Sequence, residues 1–187
     1  MSLHPLIKVP LVGFAAYSGT GKTTLILKIL PLLKAQGLRV GVIKHAHHQF
    51  EIDQAGKDSY RIRKEGEVEQ LLIASRQRWV LMTETGQTDE PYLHQVLPHL
   101  NQETLDLVIV EGFKHEQFPK IELYRPSLNK ALIFPNDASI IAIASDAPLP
   151  VETTLPRLDL NDATDIVQFI EANIIRCFQA SPIDKSL

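Results

Sequence analysis

The sequence predicts an α/β protein: a mostly parallel sheet flanked by helices, with an added antiparallel hairpin. Three observations carry that expectation. Short apolar, β-branched runs recur along the chain, and two of them, "LVIV" and "IIAIA", show no polar alternation, as strands covered on both faces require. The first two runs are separated by one clear helix, a strand–helix–strand unit whose crossover should be right-handed. The pair "QLLIAS" and "RWVLMTE" is joined by a short polar turn and reads as a hairpin.

The elements follow in chain order. Strands are expected at 11–17, 39–45, 70–75, 78–84, 105–111, 120–125 and 139–145. A helix spans about 22–36, closed by Gly37. Pro31 lies inside it, removes the bond to the Leu27 carbonyl and is expected to kink or tighten that turn. Further helices are expected near 57–65, 90–100 and 161–178, the last capped by Asn161 or Asp162. The Pro-rich stretch 147–157 reads as a connection and 180–187 as a loose tail, so residues 1–187 are expected to form one domain.

Bulk composition narrows the class. A net charge of −3 without any Lys/Arg block argues against nucleic acid as a partner. No apolar run approaches the roughly 20 residues that span a bilayer. One cysteine, Cys177, rules out an intrachain disulfide; with no secretory pattern at the N-terminus, the expected location is the cytoplasm.

The chemistry concentrates in "AYSGTGKT", residues 16–23, between a buried strand and a helix. It fits the phosphate-binding pattern G-x-x-x-x-G-K-[ST], with Ala16 in the first glycine position. Gly19 and Gly21 permit backbone conformations that turn several main-chain N–H groups of residues 17–23, those of Ser18 and Thr20 among them, toward one anion. The following helix adds the positive end of its dipole. Lys22 is placed to reach β- and γ-phosphates, Thr23 to ligate Mg²⁺ and Thr24 to sit near the α-phosphate. Glu111, at the C-terminal end of a buried strand, is the acid expected to hold the metal's water shell. Asp146 ends another buried strand. It either accepts hydrogen bonds from a guanine or simply forms a turn before Ala147-Pro148, since the full N/T-K-x-D signature is absent.

A second cluster, residues 42–66, holds Lys44, His45, His47, His48, Asp53, Lys57 and Asp58. Three readings stand: a transition-metal site of histidines with Asp53, an anion pocket around Lys44 and the histidines, or a polar loop. Asp58 either reaches the Mg²⁺ or caps the next helix. Lys114 and His115 follow Glu111 closely.

Taken together, "FAAYSGTGKTTL", "VIKHAHH", "DQAGKDSYRIRKEG", "RWVLMTE" and "LVIVEGFKHEQFPKIELYR" resemble the MobB family of molybdopterin-guanine dinucleotide biosynthesis proteins, over roughly 10–146. That resemblance implies a P-loop fold, homodimers, binding of GTP with Mg²⁺ and weak GTP hydrolysis. It also implies assistance to a MobA-type guanylyltransferase that joins GMP to molybdopterin. Carried over, Lys22 and Thr23 are the phosphate and metal contacts, and Lys22 and Glu111 the groups bearing on hydrolysis. The dimer-sharing ATPases carry a lysine early in the loop; here Tyr17 and Ser18 stand there. Neither an arginine finger nor a water-orienting glutamine is identified. Two alternatives are a metal-delivery GTPase using His45, His47 and His48, and a small-molecule kinase.

Overall fold

The computed structural model describes residues 6–46 and 50–180. They divide into two compact units, one built from the chain up to His45 and from Tyr92 onward, the other from Ala46 to Pro91.

The larger unit contains a six-stranded sheet. Its strands are β1 (Leu11–Ala15), β2 (Val40–Lys44), β5 (Leu107–Glu111), β6 (Lys120–Tyr124), β7 (Ile140–Ser145) and β8 (Arg157–Asp159). Their spatial order is β2-β5-β1-β6-β7-β8, and every pairing is parallel. Both faces are covered, which explains the unbroken apolar runs. Alternation along the strands assigns each residue a side. Val12, Phe14, Leu107, Ile109, Ile121 and Leu123 join the core cluster that contains Leu25, Ile29 and Leu33 of α1 (Lys22–Ala35) and Ile166 and Ile170 of α4 (Ala163–Ile170). Leu11, Val108 and Val110 point to the opposite side, where Leu93, Leu97, Phe113 and Phe118 cover them. Gly13 in β1 is needed for close approach, because a Cβ there would lie 2.4 Å from the Phe118 ring.

Several expected elements change in extent. β1 ends at Ala15, because Ala16 already begins the loop. Helix α1 continues past Pro31 to Ala35, and Gly37 follows it at φ 82°. The helix expected over 90–100 is only α3 (Leu93–Val96) with a 3₁₀ turn, Leu97–His99. Pro91 and Pro98 bracket it, and each removes a backbone donor. The C-terminal helix starts at Ala163, capped by Asp162, which accepts from the Thr164 and Asp165 amides. It passes through a π-turn, Glu171–Ile175, into α5 (Arg176–Ala180). The strand β8 was hidden at the end of the Pro-rich connection: three residues, of which only Leu158 is buried, leave almost no pattern.

The smaller unit holds α2 (Asp58–Glu65) and the hairpin β3 (Gln70–Ala74) with β4 (Trp79–Thr83). The hairpin is a separate two-stranded sheet. Its turn is fixed by Ser75, whose amide and hydroxyl both donate to the Arg78 carbonyl, at 2.8 and 2.9 Å. Buried Arg63 gathers three carboxylates, Asp53 at 2.7 Å, Glu84 at 2.9 Å and Glu51. Together they push the guanidinium's pKa up, Asp53 foremost.

Candidate nucleotide site

The site begins where β1 stops. Ala16, in the position that the motif gives to glycine, is buried and belongs to the core cluster that also contains Leu25. Gly19 and Gly21 adopt φ 82° and 102°, left-handed values that suit glycine. Between them Thr20 is buried, and its hydroxyl donates to the Tyr17 carbonyl at 2.9 Å. Helix α1 starts at Lys22 with no side-chain cap and no acid in its first turn. The first N–H groups of a helix have no partner within it. Here those amides and the dipole's positive end are left for an anion. Lys22 arches back over the loop, donating to the Ala16 carbonyl at 2.8 Å and to that of Tyr17 at 3.4 Å.

Strand alternation and register supply the opposing wall. Glu111 follows Leu107 and Ile109 on the α1 side of the sheet, in register with Phe14 and Lys44. Its Oε1 lies 3.4 Å from the Thr23 hydroxyl and 2.8 Å from Lys44 Nζ. The Lys22 ammonium is held below its usual pKa of 10.5, chiefly by burial. Glu111 counters that, while Lys114 and Lys44 repel the charge. Three lysines around one carboxylate leave a local positive excess. The donor set fits Mg²⁺: a hydroxyl and a carboxylate, hard oxygen ligands, facing each other at the end of an anion-binding loop.

The remaining candidates are placed as follows. Ser18 is exposed on the loop, and Thr24 is exposed in the first turn of α1. The His45 amide donates to the Glu111 carbonyl at 2.8 Å, and its ring stacks on Phe113 at 4.7 Å. Gly112, at φ 102°, makes that approach possible, since a Cβ there would meet the His45 Cβ at 2.4 Å. Asp146 pairs with Arg125. Asp58 belongs to the smaller unit and is the first residue of α2, one position past its cap, Lys57. Asp53, the acid of the metal reading, is held by Arg63. His47 and His48 lie outside the described residues. Among the described residues no group of three His, Cys, Asp or Glu side chains is arranged to hold a metal ion.

Sequence reasoning missed three residues of β6 and its exit. Lys120 is buried, and its Nζ donates to the Lys114 carbonyl at 2.9 Å and pairs with Asp137 at 3.0 Å. Glu122 is buried and accepts from the Ile133 and Phe134 amides at 2.7 and 2.8 Å. Arg125 donates from Nε to the Thr20 carbonyl at 3.0 Å. Alternating charges in "KIELYR" were the available hint, since two charged residues in a strand with both faces covered demand partners.

Fold and loop define a P-loop protein, a parallel-sheet nucleotide-binding architecture with its phosphate loop between β1 and α1. A family model described as molybdopterin guanine dinucleotide synthesis protein B matches residues 11–146, and the chain belongs to that family. It is similar to the molybdopterin-guanine dinucleotide biosynthesis adapter protein of Escherichia coli K12, 46% identical over 165 residues, covering 87% of this chain and 91% of the relative. The Haemophilus influenzae adapter protein is 43% identical over 166 residues, covering 88% and 89%. The fold matches the crystal structure of Bacillus subtilis MobB with TM-score 0.69 at 24% identity, over 88% of this chain and 98% of that one.

Proposed function

We propose that this chain is an adapter protein of molybdopterin-guanine dinucleotide biosynthesis that binds GTP with Mg²⁺ at residues 16–23. The relatives that share its family carry that adapter name. The observation that carries the nucleotide reading is the loop itself: two left-handed glycines, an uncapped helix N-terminus and Lys22 folded over the opening.

The residues divide the work by position. Amides of Ser18 through Thr24 bind and orient the phosphates. Lys22 leaves the loop's own carbonyls for phosphate oxygens when the anion arrives. Thr23 and Glu111 would hold the metal, which would supply positive charge against the phosphates. Lys44 pairs with Glu111 and holds it aimed at Thr23. His45, stacked on Phe113, closes the rim beside Glu111. Positioning and electrostatics of this kind support slow hydrolysis. The protein works in the cytoplasm beside a MobA-type guanylyltransferase, to which it presents nucleotide or molybdopterin. It acts as a homodimer, and the exposed face of the hairpin, with Leu72, Trp79 and Leu81, supports that assembly.

Calorimetric titration with GTP tests the site. Lys22→Ala is expected to weaken binding at least about thirtyfold, the loss that follows when one partner of a close charge contact is removed. The thermal midpoint should not fall. Unchanged GTP affinity would overturn the assignment.

A further inference from the structure

The geometry points to Arg125 as a positioning residue for the phosphate loop: it locks the Thr20–Gly21 peptide plane, and Asp146 holds it in place. The inference rests on the phosphate-site reading above and assigns Asp146 to the loop rather than to the base.

Register brings the three groups together. Ala15 in β1 pairs with Glu122 in β6, so the chain leaves both strands on the same rim, and Arg125 emerges beside the loop. Tyr124 pairs with Ser145, so the next residue along each strand, Arg125 and Asp146, are neighbours in turn. The guanidinium therefore stands between loop and carboxylate. Its Nε donates to the Thr20 carbonyl at 3.0 Å, and its Nη1 pairs with Asp146. Another guanidinium nitrogen lies 3.9 Å from where a Gly21 Cβ would be.

The consequence follows from peptide geometry. In a trans peptide the carbonyl of one residue and the N–H of the next point in opposite directions. Thr20 is anchored by its buried side chain and its bond to Tyr17, but Gly21 accepts either sign of φ. Among the described residues, the plane between them takes its hydrogen bond from Arg125 and not from the loop itself. A hydrogen bond from Arg125 fixes the Thr20 carbonyl outward and so turns the Gly21 N–H away from Arg125, toward the anion side. A cationic donor on the carbonyl also polarises the peptide and makes that N–H a better donor. Binding a phosphate then requires no peptide flip.

The test uses the whole chain, inorganic pyrophosphate, GDP and ADP. Arg125→Met is expected to weaken pyrophosphate and GDP by the same factor, about tenfold for a charge-assisted hydrogen bond. It should also displace or broaden the Gly21 amide resonance in ¹⁵N-labelled protein. Arg125→Lys should restore part of both. Asp146→Asn should give a smaller loss of the same kind, with an unchanged GDP-to-ADP preference, and the double variant should be no weaker than Arg125→Met alone. Pyrophosphate affinity within twofold of the parent in Arg125→Met would overturn the proposal. So would an Asp146→Asn variant whose GDP-to-ADP preference changes while pyrophosphate binding does not, because Asp146 would then read the base. Lys22→Ala separates the two levels: if it binds pyrophosphate as the parent does, the phosphate site itself is misplaced.

Discussion

At the level of single residues, Lys22 combines two states. Without an anion it satisfies loop carbonyls, and burial holds its pKa below 10.5, with Lys114 and Lys44 adding repulsion against the pull of Glu111. The folded chain therefore releases this proton before the unfolded chain does. Stability gains from Lys22 as pH rises through the window below 10.5. A bound polyanion reverses the shift. Pyrophosphate binding just below pH 10.5 is expected to take up protons, measured by calorimetry in two buffers of different ionisation enthalpy. Lys22→Met should abolish the uptake; equal uptake in that variant would assign it to another group. Lys22, Thr23 and Glu111 were legible in the sequence because the motif and the strand end specify them without any knowledge of distant contacts. Arg125 was not, since its role depends on which strand lies beside β1.

Among the elements, β6 shows how a sheet strand tolerates charge. Its Lys120 and Glu122 lie on the side opposite Ile121 and Leu123, which join the α1 and α4 core. Each is buried and each has partners: Lys120 holds Asp137 and the Lys114 carbonyl, and Glu122 holds two amides of the segment after β6. Burial raises the Glu122 pKa above 4.5 despite those amides. A raised carboxylate means that the folded state binds its proton more readily, so this residue's contribution to stability falls as pH rises above 4.5. Glu122→Gln should remove that dependence while keeping one acceptor. Glu122→Ala leaves the Ile133 and Phe134 amides without a partner, and urea unfolding should show a loss of about 2–4 kcal/mol. A loss below that of Glu122→Gln would show that water replaces the carboxylate. The same reasoning explains the shortened helix near 93–99: Pro91 and Pro98 outweigh the apolar spacing of Leu93, Leu97 and Leu100.

Over the whole molecule, two compact units share one chain, and the smaller carries an apolar hairpin face. Leu72, Trp79 and Leu81 are exposed there, whereas Leu71, Ile73, Val80 and Met82 on the other face are half-buried. If the face meets a second copy, Trp79→Asp should convert a dimer to a monomer in sedimentation without weakening GTP binding; a dimer that persists would place the contact elsewhere. Among the described residues no helix is long and apolar enough to cross a membrane. Local pattern alone determined the parallel α/β class, the phosphate loop, the hairpin and the acid at the end of β5, because each is written in a few consecutive residues. Tertiary structure alone decided the strand order, the short β8, the buried partners of Lys120 and Glu122 and the Arg125 bridge. Those depend on which strands become neighbours, and that choice is made by burial summed over both sheet faces.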